Sequence, residues 1–85
     1  MRRKYAFFIS KQAFKEIEGL SKPLKEKVLR RLTELQKDPF PHGTKKLAGT
    51  LNCYRLRQGD YRILYLIEDD ILKITHVLHR REAYR

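Results

Sequence analysis

A chain of 85 residues has room for one domain, spanning 1–85; its 41% apolar residues fill a small core but line no large internal cavity, so any site lies on the surface. A single cysteine, Cys53, excludes an internal disulfide and a cysteine-based zinc site, and reads as a small core residue in a reducing compartment. The net charge of +10 points to a polyanionic partner, and no apolar run approaches the ~20 residues of a membrane span.

The first element is "KYAFFI" (4–9), short, aromatic and β-prone, which reads as a strand. Its apolar stretch, Tyr5 to Ile9, is too short for a signal peptide despite the basic head, so a cytoplasmic protein is expected. Ser10 can cap a helix in which Ala13, Phe14, Ile17 and Leu20 recur at helical spacing, with Gly19 at its end. "SKPLKEKVLRRLTELQKDP" is a second helix, with Ser21 as N-cap, Pro23 in the first turn and Asp38-Pro39 as the stop. Leu24, Val28, Leu32 and Leu35 make its apolar stripe, with Leu29 beside it, and the two helices form an αα-hairpin. "PFPHGTKKLAGTLN" (39–52) is a Pro/Gly loop with a strand or turn near Lys46–Ala48, and it carries His42, Lys45 and Lys46.

From Asn52 the pattern turns to β. Tyr54 and Leu56 alternate with Arg55 and Arg57, "QGD" turns the chain, "YRILYLI" (61–67) is a strand, "EDD" turns again, and "ILKITHVLH" (71–79) follows. The order β-α-α-β-β-β predicts an α+β fold, a mainly antiparallel sheet with the helical hairpin on one face. With Gln58-Gly59 as a two-residue loop, Arg55 faces Arg62; with Asp69-Asp70 as the next, Arg62 faces Val77 and Asp60 faces His79. That places Tyr54, Leu56, Tyr61, Ile63, Tyr65, Ile67, Leu72, Ile74, His76 and Leu78 under the helices. Arg55, Arg57, Arg62 and His79 then share the other face, with Lys73 further off. The tail adds Arg80 and Arg81 at the same end, with Tyr84 within reach.

Like charges set opposite one another are destabilising unless solvent or an anion separates them, and arginine donates paired hydrogen bonds to phosphate. An anion site therefore accounts for this face better than a solvated basic surface. No carboxylate pair, Gly-rich phosphate loop, Ser/His/Asp pattern or metal-ligand cluster is present, so neither a metal nor a cofactor is expected. What remains is metal-free phosphoryl chemistry on RNA, whose 2′-OH is a built-in nucleophile. Arginines would stabilise the developing charge, and a Tyr, His or Lys would move protons.

The segment "KKLAGTLNCYRLRQGDYRILYLI", followed by "LKITHVLHRREAYR", resembles RelE-type toxins of the RelE/ParE superfamily, and the resemblance spans nearly the whole chain. These are ribosome-dependent mRNA endonucleases (mRNA interferases) of toxin–antitoxin pairs. The resemblance implies that Arg55 and Arg57 hold the mRNA backbone and contribute to proton transfer. It implies that Arg62 binds the transition-state phosphate, that Arg80 supports the scissile phosphate and leaving oxygen, and that Tyr84 stacks on a base and takes part in acid–base chemistry. Lys45, Lys46 and Arg81 are candidate RNA contacts. Some relatives carry lysine where this chain has Arg55 and Arg57; arginine cannot serve as a base, so that role falls to Tyr84 or His79. Implied partners are mRNA, the ribosomal 30S A site and a RelB-like antitoxin, with no membrane and no small-molecule cofactor. Two other readings are a ParE-like inhibitor of DNA gyrase without nuclease activity, and a non-catalytic ribosome- or RNA-binding domain.

Overall fold

The computed structural model describes residues 5–83. Its order is β1 (Ala6–Ile9), α1 (Lys11–Glu18), α2 (Lys22–Lys37), β2 (Thr44–Lys46), β3 (Cys53–Gln58), β4 (Tyr61–Glu68), β5 (Ile71–His79) and α3 (Arg80–Ala83). The expected β-α-α-β-β-β order is present, with a short extra strand, β2, and a terminal helical turn, α3. One five-stranded sheet runs β1-β5-β4-β3-β2, antiparallel except for β1 beside β5. β2 occupies Thr44–Lys46, slightly before the expected position, because Lys45 pairs with Arg55 and Lys46 with Tyr54.

Both helices start and stop where the chain's capping residues place them. Ser10 Oγ accepts from the Ala13 amide at 3.0 Å, which satisfies one of the open donors of α1, and Gly19 closes the helix. Pro23 lies in the first turn of α2 and Asp38 ends it; Ser21 is the N-cap without a side-chain bond. Ala13 and Ile17 of α1 and Val28, Leu32 and Leu35 of α2 meet Leu56, Ile63, Tyr65, Leu72, Ile74 and Val77 of the sheet in one core. Phe14, expected in the apolar stripe of α1, is exposed, and Leu29, expected beside the stripe of α2, is exposed as well.

The two hairpins turn differently. At the second, Asp69 and Asp70 both take positive φ (49° and 64°), as a two-residue hairpin loop favours. At the first, the loop is Gly59-Asp60 rather than Gln58-Gly59. The left-handed position (φ 58°) thereby falls on glycine, which adopts it without a Cβ clash, and Gln58 stays in the strand opposite Tyr61.

β5 carries a bulge at Thr75, between the pairs Tyr65–Ile74 and Leu64–His76. The extra residue inverts the alternation beyond it. Val77 therefore fills the core opposite Ile63, Leu78 lies opposite Arg62, and His79 lies opposite Tyr61. The expectation that Leu78 and His76 face the core while His79 joins the arginines is corrected by this single residue. Helix α1 satisfies the disturbed backbone: Ser10 Oγ donates to the Thr75 carbonyl at 3.0 Å, and Glu16 accepts from the Val77 amide at 2.8 Å. His76 Nδ1 sits 3.5 Å from the same Glu16 carboxylate, with its side chain partly exposed.

Candidate functional site

The helices cover one side of the sheet and leave the other open. Strand alternation puts Arg55 and Arg57 of β3, Arg62 of β4 and Lys45 of β2 on the open side, toward the end where β3 turns into β4. The pairing differs from expectation. Arg62 stands opposite Arg57, and Arg55 stands opposite Leu64. Because the partner of Arg62 moves by two residues, the faces survive the change. Lys46, one residue past Lys45, falls on the opposite parity, paired with Tyr54.

The two facing arginines avoid each other by going different ways. Arg57 is exposed, while Arg62 is 5% exposed and donates through Nη1 to the carbonyls of Gly59 and Tyr61, both at 3.1 Å. Arg62 thus braces the turn that presents the face. Arg80 begins α3 beside that turn: its amide donates to the Asp60 carbonyl at 2.7 Å, and its Nε lies 3.9 Å from the Asp60 carboxylate. Its side chain and that of Arg81 remain exposed. His79 accepts at Nδ1 from the Arg81 amide at 3.3 Å and sets its ring edge-on to Tyr61, with centroids 5.3 Å apart. In this position it caps the terminal turn. Tyr84 lies outside the described residues.

Beside this end of the face is an open groove of about 620 Å³ between α2, the loop before β2, and β3. Lys45, Arg55 and Arg57 line it from the sheet, and Arg31 lines it from α2. Arg31 pairs with Glu34 through Nη1. Its Nη2 donates to the His42 carbonyl at 2.7 Å and approaches the Arg57 carbonyl at 3.5 Å, so one side chain ties helix, loop and strand together. Gly43 takes φ 95° here, and a Cβ on it would stand 3.3 Å from Arg31 Nη2. The loop is also held from beneath, where the Tyr65 hydroxyl donates to the Pro39 carbonyl at 2.6 Å. Burial pushes the Tyr65 phenol up to about 12. Sequence reasoning missed Arg31, which reads as one half of a helix-surface i,i+3 ion pair. His42, expected as a solvent-exposed loop residue, is exposed, but the bond its carbonyl accepts from Arg31 leaves no trace in the sequence.

Among the described residues no group of three or more His, Cys, Asp or Glu could hold a metal, and no helix is long and apolar enough to cross a membrane. The arrangement is a basic surface with cations at several depths, from the buried Arg62 to the exposed Arg57 and Arg80.

The model of the family described as "ParE toxin of type II toxin-antitoxin system, parDE" matches residues 7–84. The chain belongs to this family. It is a toxin of the RelE/ParE superfamily, as the "GDYR" and "HRREAYR" segments suggested. Toxin RelE3 of Methanocaldococcus jannaschii is 42% identical over 40 residues; the match spans 47% of this chain and about half, 46%, of that relative. A chain of the archaeal RelE-RelB complex from Pyrococcus horikoshii OT3 superposes with a TM-score of 0.79 at 32% identity, covering 91% of this toxin and 96% of that chain. The RelB-RelE antitoxin-toxin complex from Methanococcus jannaschii gives 0.77 at 25% identity, with 91% and 94% covered.

Proposed function

We propose that this toxin is a ribosome-dependent mRNA endonuclease that cuts message in the 30S A site and so inhibits translation. The observation that carries the reading is the gathering of Lys45, Arg55, Arg57 and Arg62 at one end of the open sheet face, with Arg80 on the adjoining turn. In the proposed reaction the RNA 2′-oxygen bonds to the neighbouring phosphorus and the P–O5′ bond breaks. The products are a 2′,3′-cyclic phosphate and a 5′-hydroxyl. Arg55 and Arg57 hold the backbone, Arg57 and Arg80, both exposed, stabilise the charge that develops on phosphorus, and Arg81 adds an outer contact, while Lys46, on the opposite parity of β2, is set apart from this face. Arg62 acts from within, through the turn it braces, unless RNA draws it away from its carbonyls.

The proton carriers are Tyr84 and His79. His79 has Nδ1 occupied as an acceptor and its ring against Tyr61, which favours Tyr84 as the base. No step calls for a metal or cofactor. The RelE-RelB complexes of the relatives support a RelB-like antitoxin as the partner.

A second reading, inhibition of DNA gyrase, is favoured by the match to the ParE model and by the burial of Arg62, which a phosphate ligand would have to reach. Primer extension on message from a translating extract separates the two. The endonuclease reading expects codon-phased cuts that need ribosomes and are lost in Arg57→Ala. Uncut message together with blocked gyrase supercoiling would replace it with the second reading.

A further inference from the structure

Strand β1 covers the edge of β5 only as far as Ile74, where the Ser10 amide donates to the Ile74 carbonyl at 2.9 Å. From Thr75 to His79 no strand lies on that side among the described residues, and α1 takes its place. Side chains replace the missing ladder at the bulge. Ser10 Oγ donates to the Thr75 carbonyl at 3.0 Å, Thr75 Oγ1 donates to the Leu64 carbonyl at 3.1 Å, and Glu16 accepts from the Val77 amide at 2.8 Å. Glu16 is held in turn by the Gln12 side-chain amide at 3.2 Å, and its own side chain is 15% exposed.

Only the Glu16 bond grips the chain beyond the extra residue. Without the bulge the end of β5 slides by one residue, which sets His76 opposite Ile63, Val77 opposite Arg62 and Leu78 opposite Tyr61. Each alternation places one aliphatic and one histidine on the helix side, Val77 with His79 or Leu78 with His76. Burial alone therefore decides little between them. The slide would also carry Arg80 along the strand by about 3.4 Å. Its amide would then leave the Asp60 carbonyl that it now meets at 2.7 Å. We propose that Glu16 is a positioning residue for the site: by holding the Val77 amide it fixes the register of the end of β5, and so sets Arg80 beside the Gly59-Asp60 turn. It acts through β5 and not on RNA. The proposal rests on the nuclease reading for what Arg80 does, but not for where Arg80 stands.

Glu16→Leu removes the acceptor, whereas Glu16→Gln keeps an oxygen there without the charge. Both are made in the full chain and in a chain with Thr75 deleted, where regular pairing brings Val77 opposite Ile63 with no bulge to hold. NMR contacts of Ile63 with β5 read the register, and amide exchange reads Arg80. Glu16→Leu should trade the Val77–Ile63 contact for His76–Ile63 and speed exchange of the Arg80 amide about tenfold or more. Glu16→Gln should keep the wild-type register, and in the Thr75-deleted chain Glu16→Leu should change neither readout. An unchanged register in Glu16→Leu, or one lost equally in Glu16→Gln, overturns the proposal. So does an equal effect in the Thr75-deleted chain, unfolding included, because that marks a general defect. In the translating extract Glu16→Leu should cut message about a hundredfold more slowly, with Glu16→Gln near wild type. A shifted register with cutting at the wild-type rate would overturn the positioning role. Message left uncut by the wild type would discard the nuclease, while the register result would still decide what Glu16 holds.

Discussion

Tyr65 sits in the core at 1% exposure yet ends in a hydroxyl, and the Pro39 carbonyl accepts its proton at 2.6 Å. The bond joins the central strand to the loop that forms the groove. Tyr65→Phe leaves that carbonyl without its donor and should cost about 1 kcal/mol in urea unfolding. Burial raises the phenol from 10.0 to about 12, which favours its protonated form in the folded state. Stability from this group is therefore complete below pH 10 and is lost as pH rises from 10 through 12. Wild type minus Tyr65→Phe should therefore show a stability difference of about 1 kcal/mol near neutral pH that shrinks and then changes sign over that window. A difference that does not change with pH would mean that the phenol titrates alike folded and unfolded. Arg57 and Arg62 make a second contrast at this scale. Arg57 is exposed, so Arg57→Ala should leave stability within about 0.5 kcal/mol while reducing cleavage. Arg62 braces the Gly59-Asp60 turn, so Arg62→Ala should lose about 1–3 kcal/mol as well as activity, visible as a lower denaturant midpoint. Equal stability in the two variants would deny Arg62 its bracing role.

Among the elements, β5 decides which side chains meet the core. One extra residue, Thr75, puts Val77 inside at 2% exposure and turns Leu78 to the open side. Val77→Ala should cost about 2 kcal/mol from two lost methyl groups and the space they leave. Leu78→Ala, although it removes more atoms, should cost less; the reverse order in thermal unfolding would place the bulge elsewhere. The consecutive apolar residues in "HVLH" explain why this was illegible: either of two alternations buries one of them, and the bulge is set by Ser10 and Glu16 of α1, distant in sequence. The helices were legible because Ser10, Pro23 and Asp38 act locally, and β3 and β4 because Tyr54, Leu56, Ile63 and Tyr65 alternate without interruption. β2 was only partly legible. "TKK" has no apolar pattern, and its pairing with β3 supplies what its composition lacks. The face shared by Arg55, Arg57 and Arg62 could be read from parity, whereas the reach of Arg31 to Arg57 crosses from helix to strand and leaves no periodic trace.

For the whole molecule, a net charge of +10 gathered within a radius of gyration of 12.1 Å is a cost to the fold and an asset to polyanion binding. Among the described residues Lys25–Glu18 is partly exposed and Arg80–Asp60 exposed, and pairs of that kind contribute about 0–1 kcal/mol each, so these two offset little of the repulsion. The Debye length is about 30 Å at 0.01 M salt, longer than the molecule's radius, and about 10 Å at 0.1 M, shorter than the spacing between distant cations. Added salt should therefore relieve repulsion across the fold while lowering the entropy gained by each counterion released when RNA binds. The two effects carry opposite signs. Between 0.02 and 0.5 M sodium chloride the melting temperature of the toxin should rise, while its affinity for a single RNA strand falls along a straight log–log line. A melting temperature that falls with salt would mean that the exposed ion pairs outweigh the excess of cations. Affinity indifferent to salt would mean that the open face and its groove do not recognise phosphate.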